Sequence, residues 1–189
     1  MQKLRDDLNG LIRDLHICGT RYTAVAYLGA EERRDAAAWK ARAKEMTRFG
    51  KLLKKEWITL QYHNHSFEMQ HFGRMTGLEI LYANSDPRYL QAEIDTHWIA
   101  RGGGDPAEWC ACLKGRLDQV HFKDAAMLND QPIFTEIGEG NLNWPAILKA
   151  CKQSGVKHYI VEQDDCPITH DPFKSLAISY KNLRAMGLR

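Results

Sequence analysis

Residues 57–68 read WITLQYHNHSFE. The first half, Trp57 to Tyr62, is a run of aromatic, β-branched and aliphatic side chains and predicts a strand. The second half carries two imidazoles, an amide and a carboxylate. A buried strand that opens onto metal-binding and proton-carrying groups fits an α/β protein whose chemistry gathers where strands end and loops begin.

Working outward, the chain alternates helix and strand. Leu4, Leu8, Leu11, Ile12 and Leu15 recur at helical spacing, and Gly19 stops that helix. Arg21–Leu28 predicts a strand. Trp39, Ala43, Met46, Phe49 and Leu53 mark one face of a longer helix. Thr76–Ala83 is a short helix closed by the turn at Asn84–Pro87. Leu90–Ile94 predicts a strand that ends on Asp95, and Asp105-Pro106 caps the helix after it. Leu117–Phe122 is the next strand, running into Lys123 and Asp124. Ile133–Ile137 is a short extended piece, and Asn143–Ser154 is a helix stopped by Gly155. Lys157–Val161 is the last strand and ends at Glu162. Asp171-Pro172 opens a final helix to about Ala185.

Strands joined by helices imply a parallel sheet covered by helices. Four successive strands then carry acids and histidines at one geometric end. Asp95, His121 and Glu162 come from three of these ends. Two carboxylates and an imidazole suit one divalent ion, Mn²⁺, Mg²⁺, Co²⁺ or Zn²⁺. Such an ion polarises a carbonyl and stabilises an enediolate, while a neighbouring base moves the proton. Taken singly, a strand-end Asp is usually a helix cap and a strand-end His a hydrogen-bonded structural group. Their recurrence on consecutive strands favours the site.

Composition narrows the alternatives. With 189 residues, 44% of them hydrophobic and 26% charged, the chain has ordinary globular make-up. A net charge of +2 gives no nucleic-acid or membrane surface. The cluster Lys51, Lys54 and Lys55 reads as a solvated helix face. No apolar stretch approaches the roughly 20 residues of a membrane helix, and MQKLRDDLNG lacks the apolar middle of a signal peptide. Five irregularly spaced cysteines fit reduced thiols, hence a cytoplasmic protein. Cys110-Ala-Cys112 lies in a predicted helix with no second pair, so zinc is not expected there. Gly102–Gly104 before a helix lacks a phosphate-loop spacing and reads as a tight turn.

The stretches LQYHNHSFEM, EIDTHWIARGGGDP, VHFKD, EIGEGNLNW and YIVEQD, taken together and in order, resemble the sugar phosphate isomerase/epimerase family, the xylose isomerase-like TIM barrels. The resemblance implies a (β/α)8 barrel. Here it is a partial one, about the last five β/α units, with residues 1–189 as a single N-terminally incomplete domain. It implies a divalent metal held by Asp95, His121 and Glu162. The fourth position, a glutamate in the epimerases, falls on Gln61. Glu162 and His65 are the expected catalytic groups, and His63, Asn64, Glu68, Trp98 and Lys123 the expected substrate contacts. The implied activity is isomerisation or epimerisation of a sugar or sugar derivative by proton abstraction next to a carbonyl. A keto-sugar lyase or dehydratase of the same fold is the alternative, because Gln61 removes one of the two bases. A non-catalytic remnant is a further one. A DNA-repair branch shares the barrel, but the near-neutral charge argues against nucleic acid. Eight strands need about 250 residues. A short chain therefore predicts a homo-oligomer or a completing chain.

Overall fold

The computed structural model describes residues 1–188. They fall into two compact units that divide within one strand, after Glu93.

The first unit contains α1 (Gln2–Asp6), α2 (Leu8–Ile17), β1 (Tyr22–Val25), α3 (Ala36–Lys55), β2 (Thr59–His63), β3 (His71–Phe72), β4 (Met75–Thr76), α4 (Gly77–Ala83) and most of β5 (Leu90–Asp95). The single helix expected over Leu4–Leu15 is two. Asp7 leaves helical geometry at φ −152° and caps α2, its carboxylate accepting from the Gly10 N–H. The α3 face expected from spacing is the core face: Trp39, Ala43, Met46, Phe49 and Leu53 are all buried. Helix α3 approaches the turn before β5 closely at Gly50. A Cβ there would stand 1.8 Å from the Tyr89 carbonyl oxygen. β1 pairs in parallel with β2, and β2 with β5, placing His63 opposite Glu93.

The second unit contains α5 (Thr96–Arg101), α6 (Pro106–Cys112), β6 (Leu117–Phe122), β7 (Asp124–Leu128), β8 (Gln131–Thr135), α7 (Trp144–Ser154), β9 (His158–Val161) and α8 (Pro172–Ala185). β6 and β9 are parallel, with His121 opposite Ile160. Phe122 packs edge-on against Trp144 at 4.9 Å and at a tilt against Tyr159 at 5.3 Å. Alternation along β6 turns His121 away from this apolar layer.

The main sheet has the order β1-β2-β5-β6-β9. It is a five-stranded parallel sheet covering about five β/α units of a (β/α)8 barrel.

Three further elements differ from the sequence reading. Trp57 was expected inside a strand; it sits in the left-handed region at φ 62° and is 81% exposed, and β2 begins at Thr59. The first strand is shorter than Arg21–Leu28. The extended piece at Ile133–Ile137 is one arm of the hairpin β7–β8, which turns at Asn129-Asp130 with φ 50° and 61°. Asn and Asp tolerate that geometry, which is why these two residues form the turn.

Candidate metal centre

Asp95 closes β5 and caps α5. Its Oδ1 accepts from the Trp98 N–H at 2.9 Å, and the residue is fully buried. The cap reading of a strand-end aspartate therefore holds, but it uses only one oxygen. Oδ2 lies 3.1 Å from the Lys123 ammonium.

His121 projects from β6 and Glu162 follows β9. The Glu162 N–H donates to the Phe122 carbonyl, which extends the β6–β9 ladder by one bond and fixes where the carboxylate starts. The imidazole Nδ1 of His121 and Oε2 of Glu162 are 2.5 Å apart. One donor atom from each of Asp95, His121 and Glu162 lies within 4.8 Å of the others.

Lys123 enters the same group, just past the end of β6 and two residues beyond His121. Its ammonium is 2.9 Å from Glu162 and 2.8 Å from Asp164, besides Asp95, and the side chain is 3% exposed. The His121 hydrogen bond, aided by Lys123 and opposed by burial, holds the Glu162 carboxyl at a pKa of about 2. Burial works against the Lys123 charge, but Asp95, Asp164 and Glu162 outweigh it and its pKa is raised. Among these four side chains one ammonium faces three carboxylates, an excess of negative charge.

That donor set fits a divalent cation. Carboxylate oxygens and imidazole nitrogen are the ligands such ions take, and the charge imbalance is the one a dication removes. Glu162 and Asp164 each keep 37% of their side-chain surface open. Three protein donors with an open side is the arrangement of catalytic rather than structural sites.

An aromatic wall stands beside these charges. His97 stacks on Phe134 at 4.2 Å, and Trp98 meets Phe134 edge-on at 5.5 Å. The Lys123 ammonium is 5.9 Å from both the Trp98 and the Phe134 rings. His97 Nδ1 is 2.9 Å from the Asp124 carbonyl, and burial lowers the His97 pKa, so its ring is neutral and donates there. Asp124 itself is a structural anchor. Its carboxylate accepts from the N–H groups of Ala125, Gly138, Gly140 and Leu142 and from the Trp144 indole. These bonds pin the segment 138–144. Glu136 and Glu139 bond to Ser175 and Asn182 of α8. The Gly102–Gly104 stretch is a turn, and the amides that start α6 are taken by Asp105.

The remaining expected residues lie at the end of β2, in the first unit. Gln61 is fully buried; its amide donates to the Ala92 carbonyl at 3.4 Å, and its oxygen has no hydrogen-bond partner among the described residues. His63 Nδ1 is 3.4 Å from Glu93, and both side chains are buried. Asn64 is buried, its amide toward the His65 carbonyl. The His65 ring stacks on Phe67 at 5.7 Å. Glu68 is wholly enclosed: one oxygen accepts from the Tyr62 hydroxyl at 2.8 Å and the other from the His65 N–H at 2.9 Å. Burial raises its pKa to about 7.

Glu93 and Phe134 are the groups that sequence reasoning did not single out as partners. Glu93 carried a signal: it is two residues before Asp95 on the same strand, so alternation puts it on that neighbour's side.

No family model matches the chain. Among solved structures, a sugar phosphate isomerase/epimerase from Parabacteroides distasonis superposes with a TM-score of 0.80 over 99% of this chain, at 24% identity. The chain has the fold of the xylose isomerase-like TIM barrels. It has that fold in part, since it covers 66% of the P. distasonis protein. The IolI protein, solved with a bound zinc atom, shares the fold at a TM-score of 0.69 and 14% identity, over 93% of this chain and 66% of IolI. Among curated proteins, the inosose dehydratase of Lactiplantibacillus plantarum is 25% identical over 167 residues, 77% of this chain and 53% of the dehydratase. The chain thus spans about half the length of the curated relatives it matches.

Proposed function

We propose that this chain carries the catalytic face of a divalent-metal-dependent isomerase or epimerase that acts on a sugar or sugar derivative by removing a proton next to a carbonyl. The observation that carries the reading is the convergence of Asp95, His121 and Glu162 beside Lys123, with more negative than positive charge. When bound there, a divalent ion would polarise a substrate carbonyl and offset the charge of the enediolate. Lys123 stays protonated and donates to a substrate oxygen. Trp98 and Phe134 offer a flat face for the C–H side of a ring. Glu162 and His65 are the proposed proton carriers, with His63 and Asn64 as further sugar contacts. Glu68, with both oxygens engaged, is reassigned to holding the His65 backbone.

Dehydration of a keto sugar is the second reading. It is favoured by the curated relatives, each named inosose dehydratase, and by Gln61, an amide that carries no proton at the position where the epimerases have a glutamate. Elimination needs one base to take the α-proton while the β-hydroxyl leaves as water.

A panel of keto sugars and cyclic keto polyols, incubated with Mn²⁺, Co²⁺ or Zn²⁺ and followed by mass spectrometry, separates the two. Isomerisation gives product of unchanged mass and, in D₂O, exchanges one carbon-bound hydrogen. Dehydration gives product lighter by one water. No turnover and no exchange on any substrate with metal bound would count against both.

A further inference from the structure

Just beyond the carboxyl ends of β1 and β2, within the first unit, three side chains gather round Phe67. The His65 ring lies parallel to it with centroids 5.7 Å apart, and the Tyr27 ring meets it edge-on at 5.5 Å. Tyr27 also meets His65 edge-on at 6.3 Å. The Arg33 guanidinium lies 3.9 Å from the centre of the Phe67 ring, over its face. Tyr27 is 60% exposed, and His65, Phe67 and Arg33 are half-buried, so the cluster faces water.

Arg33 ends the helical turn Ala30–Arg33 that follows β1. Its Nε donates to the Leu28 carbonyl at 3.0 Å. Together with the ring contact, that bond fixes the plane of the guanidinium. Its two terminal nitrogens make no hydrogen bond or ion pair among the described residues. The other arginines of this stretch behave differently. Arg34 pairs with Glu31 and Asp35, and Arg42 with Glu32 and Glu45. Acids are at hand, yet Arg33 takes none of them. A guanidinium held flat without a counter-ion is arranged to receive an anion from outside the chain.

We propose that this cluster is a carboxylate subsite and that the substrate is a sugar acid. Arg33 receives the carboxylate through its two terminal nitrogens, and the Tyr27 and Phe67 rings cover the C–H side of the same molecule. The carboxyl ends of parallel strands are where α/β sheets take their ligands. A carboxylate fits better than a phosphate, because one guanidinium balances one negative charge and a phosphate carries nearly two. That the ligand is the substrate rests on the sugar reading proposed above; the subsite itself does not.

The test is equilibrium binding by ligand-observed NMR in metal-free buffer at low salt. The probes are glucuronate, glucose, which differs from it by a hydroxymethyl in place of the carboxylate, and glucose 6-phosphate. The proteins are the parent, Arg33→Met and Arg33→Lys, each checked for unchanged circular dichroism. The parent is expected to bind glucuronate about tenfold or more tighter than glucose, the worth of a charge-assisted pair. Arg33→Met is expected to bring that ratio close to one. Arg33→Lys, which keeps the charge and loses the fork, is expected to fall between. Glucuronate binding no tighter than glucose in the parent, undetectable binding of both included, overturns the proposal. So does a preference that Arg33→Met retains, or glucose 6-phosphate bound more tightly than glucuronate. Because no metal is present, the two readings fail separately. An Arg33-dependent carboxylate preference without turnover by the metal-loaded chain would sink the reaction and leave the subsite. Turnover of neutral keto sugars without that preference would do the reverse.

Discussion

Single residues at the strand ends set the electrostatics. Lys123 is the one ammonium among Asp95, Glu162 and Asp164. Lys123→Met should destabilise the chain in metal-free buffer by about 2–4 kcal/mol. That is less than for a fully buried pair, because Glu162 and Asp164 are more than a third open. Added Mn²⁺ should restore more stability to this variant than to the parent, since it replaces the lost charge. Urea titrations with and without metal read both. Glu68 gives a pH signature with the opposite sign to a paired carboxylate. Its folded pKa of about 7 lies above the ordinary 4.5, so the folded state holds a proton that the unfolded chain has released. Stability therefore falls as pH rises from about 4.5 to about 7 and levels off above, by up to about 3 kcal/mol. Glu68→Gln mimics the neutral acid, so it should flatten that slope and be the more stable protein at pH 8. Thermal midpoints across this range check it. Strand ends rich in acids and imidazoles were readable from the sequence. Some of their partners were not: Glu93 and Phe134 acquire their roles only through register and the β7–β8 hairpin, which composition does not encode.

At the scale of elements, periodicity carried the reading wherever one face is buried. The α3 stripe and the β6 run are legible because burial selects the side chain at each turn or alternate residue. Legibility failed where a local backbone choice decides. Asp7 splits a helix whose apolar spacing runs straight through it. Trp57 looks like strand by composition, yet it occupies the left-handed region at φ 62° with 81% of its surface in water. A β-capable aromatic there gains little from packing and bears a backbone penalty of about 1 kcal/mol. Trp57→Gly is therefore expected to be neutral or to stabilise by up to about 1 kcal/mol, despite losing the bulkiest side chain. Denaturant midpoints decide it, and a loss greater than about 1 kcal/mol would show that the exposed ring is held by contacts.

At the scale of the molecule, strand–helix alternation pointed to a parallel α/β sheet, and the described residues carry about five β/α units of the barrel. Solved relatives of the same fold are half as long again: this chain covers 66% of the P. distasonis protein. The central claim is that this portion still assembles a divalent-metal site. Elemental analysis of the purified chain, set beside an Asp95→Ala/His121→Ala double variant of unchanged circular dichroism, tests it most directly. The account predicts close to one equivalent of Mn, Co or Zn per chain in the parent after exposure to the ion, and a large loss in the variant. A parent with no bound metal even after added Mn²⁺, or a variant that retains the same equivalent, would contradict it.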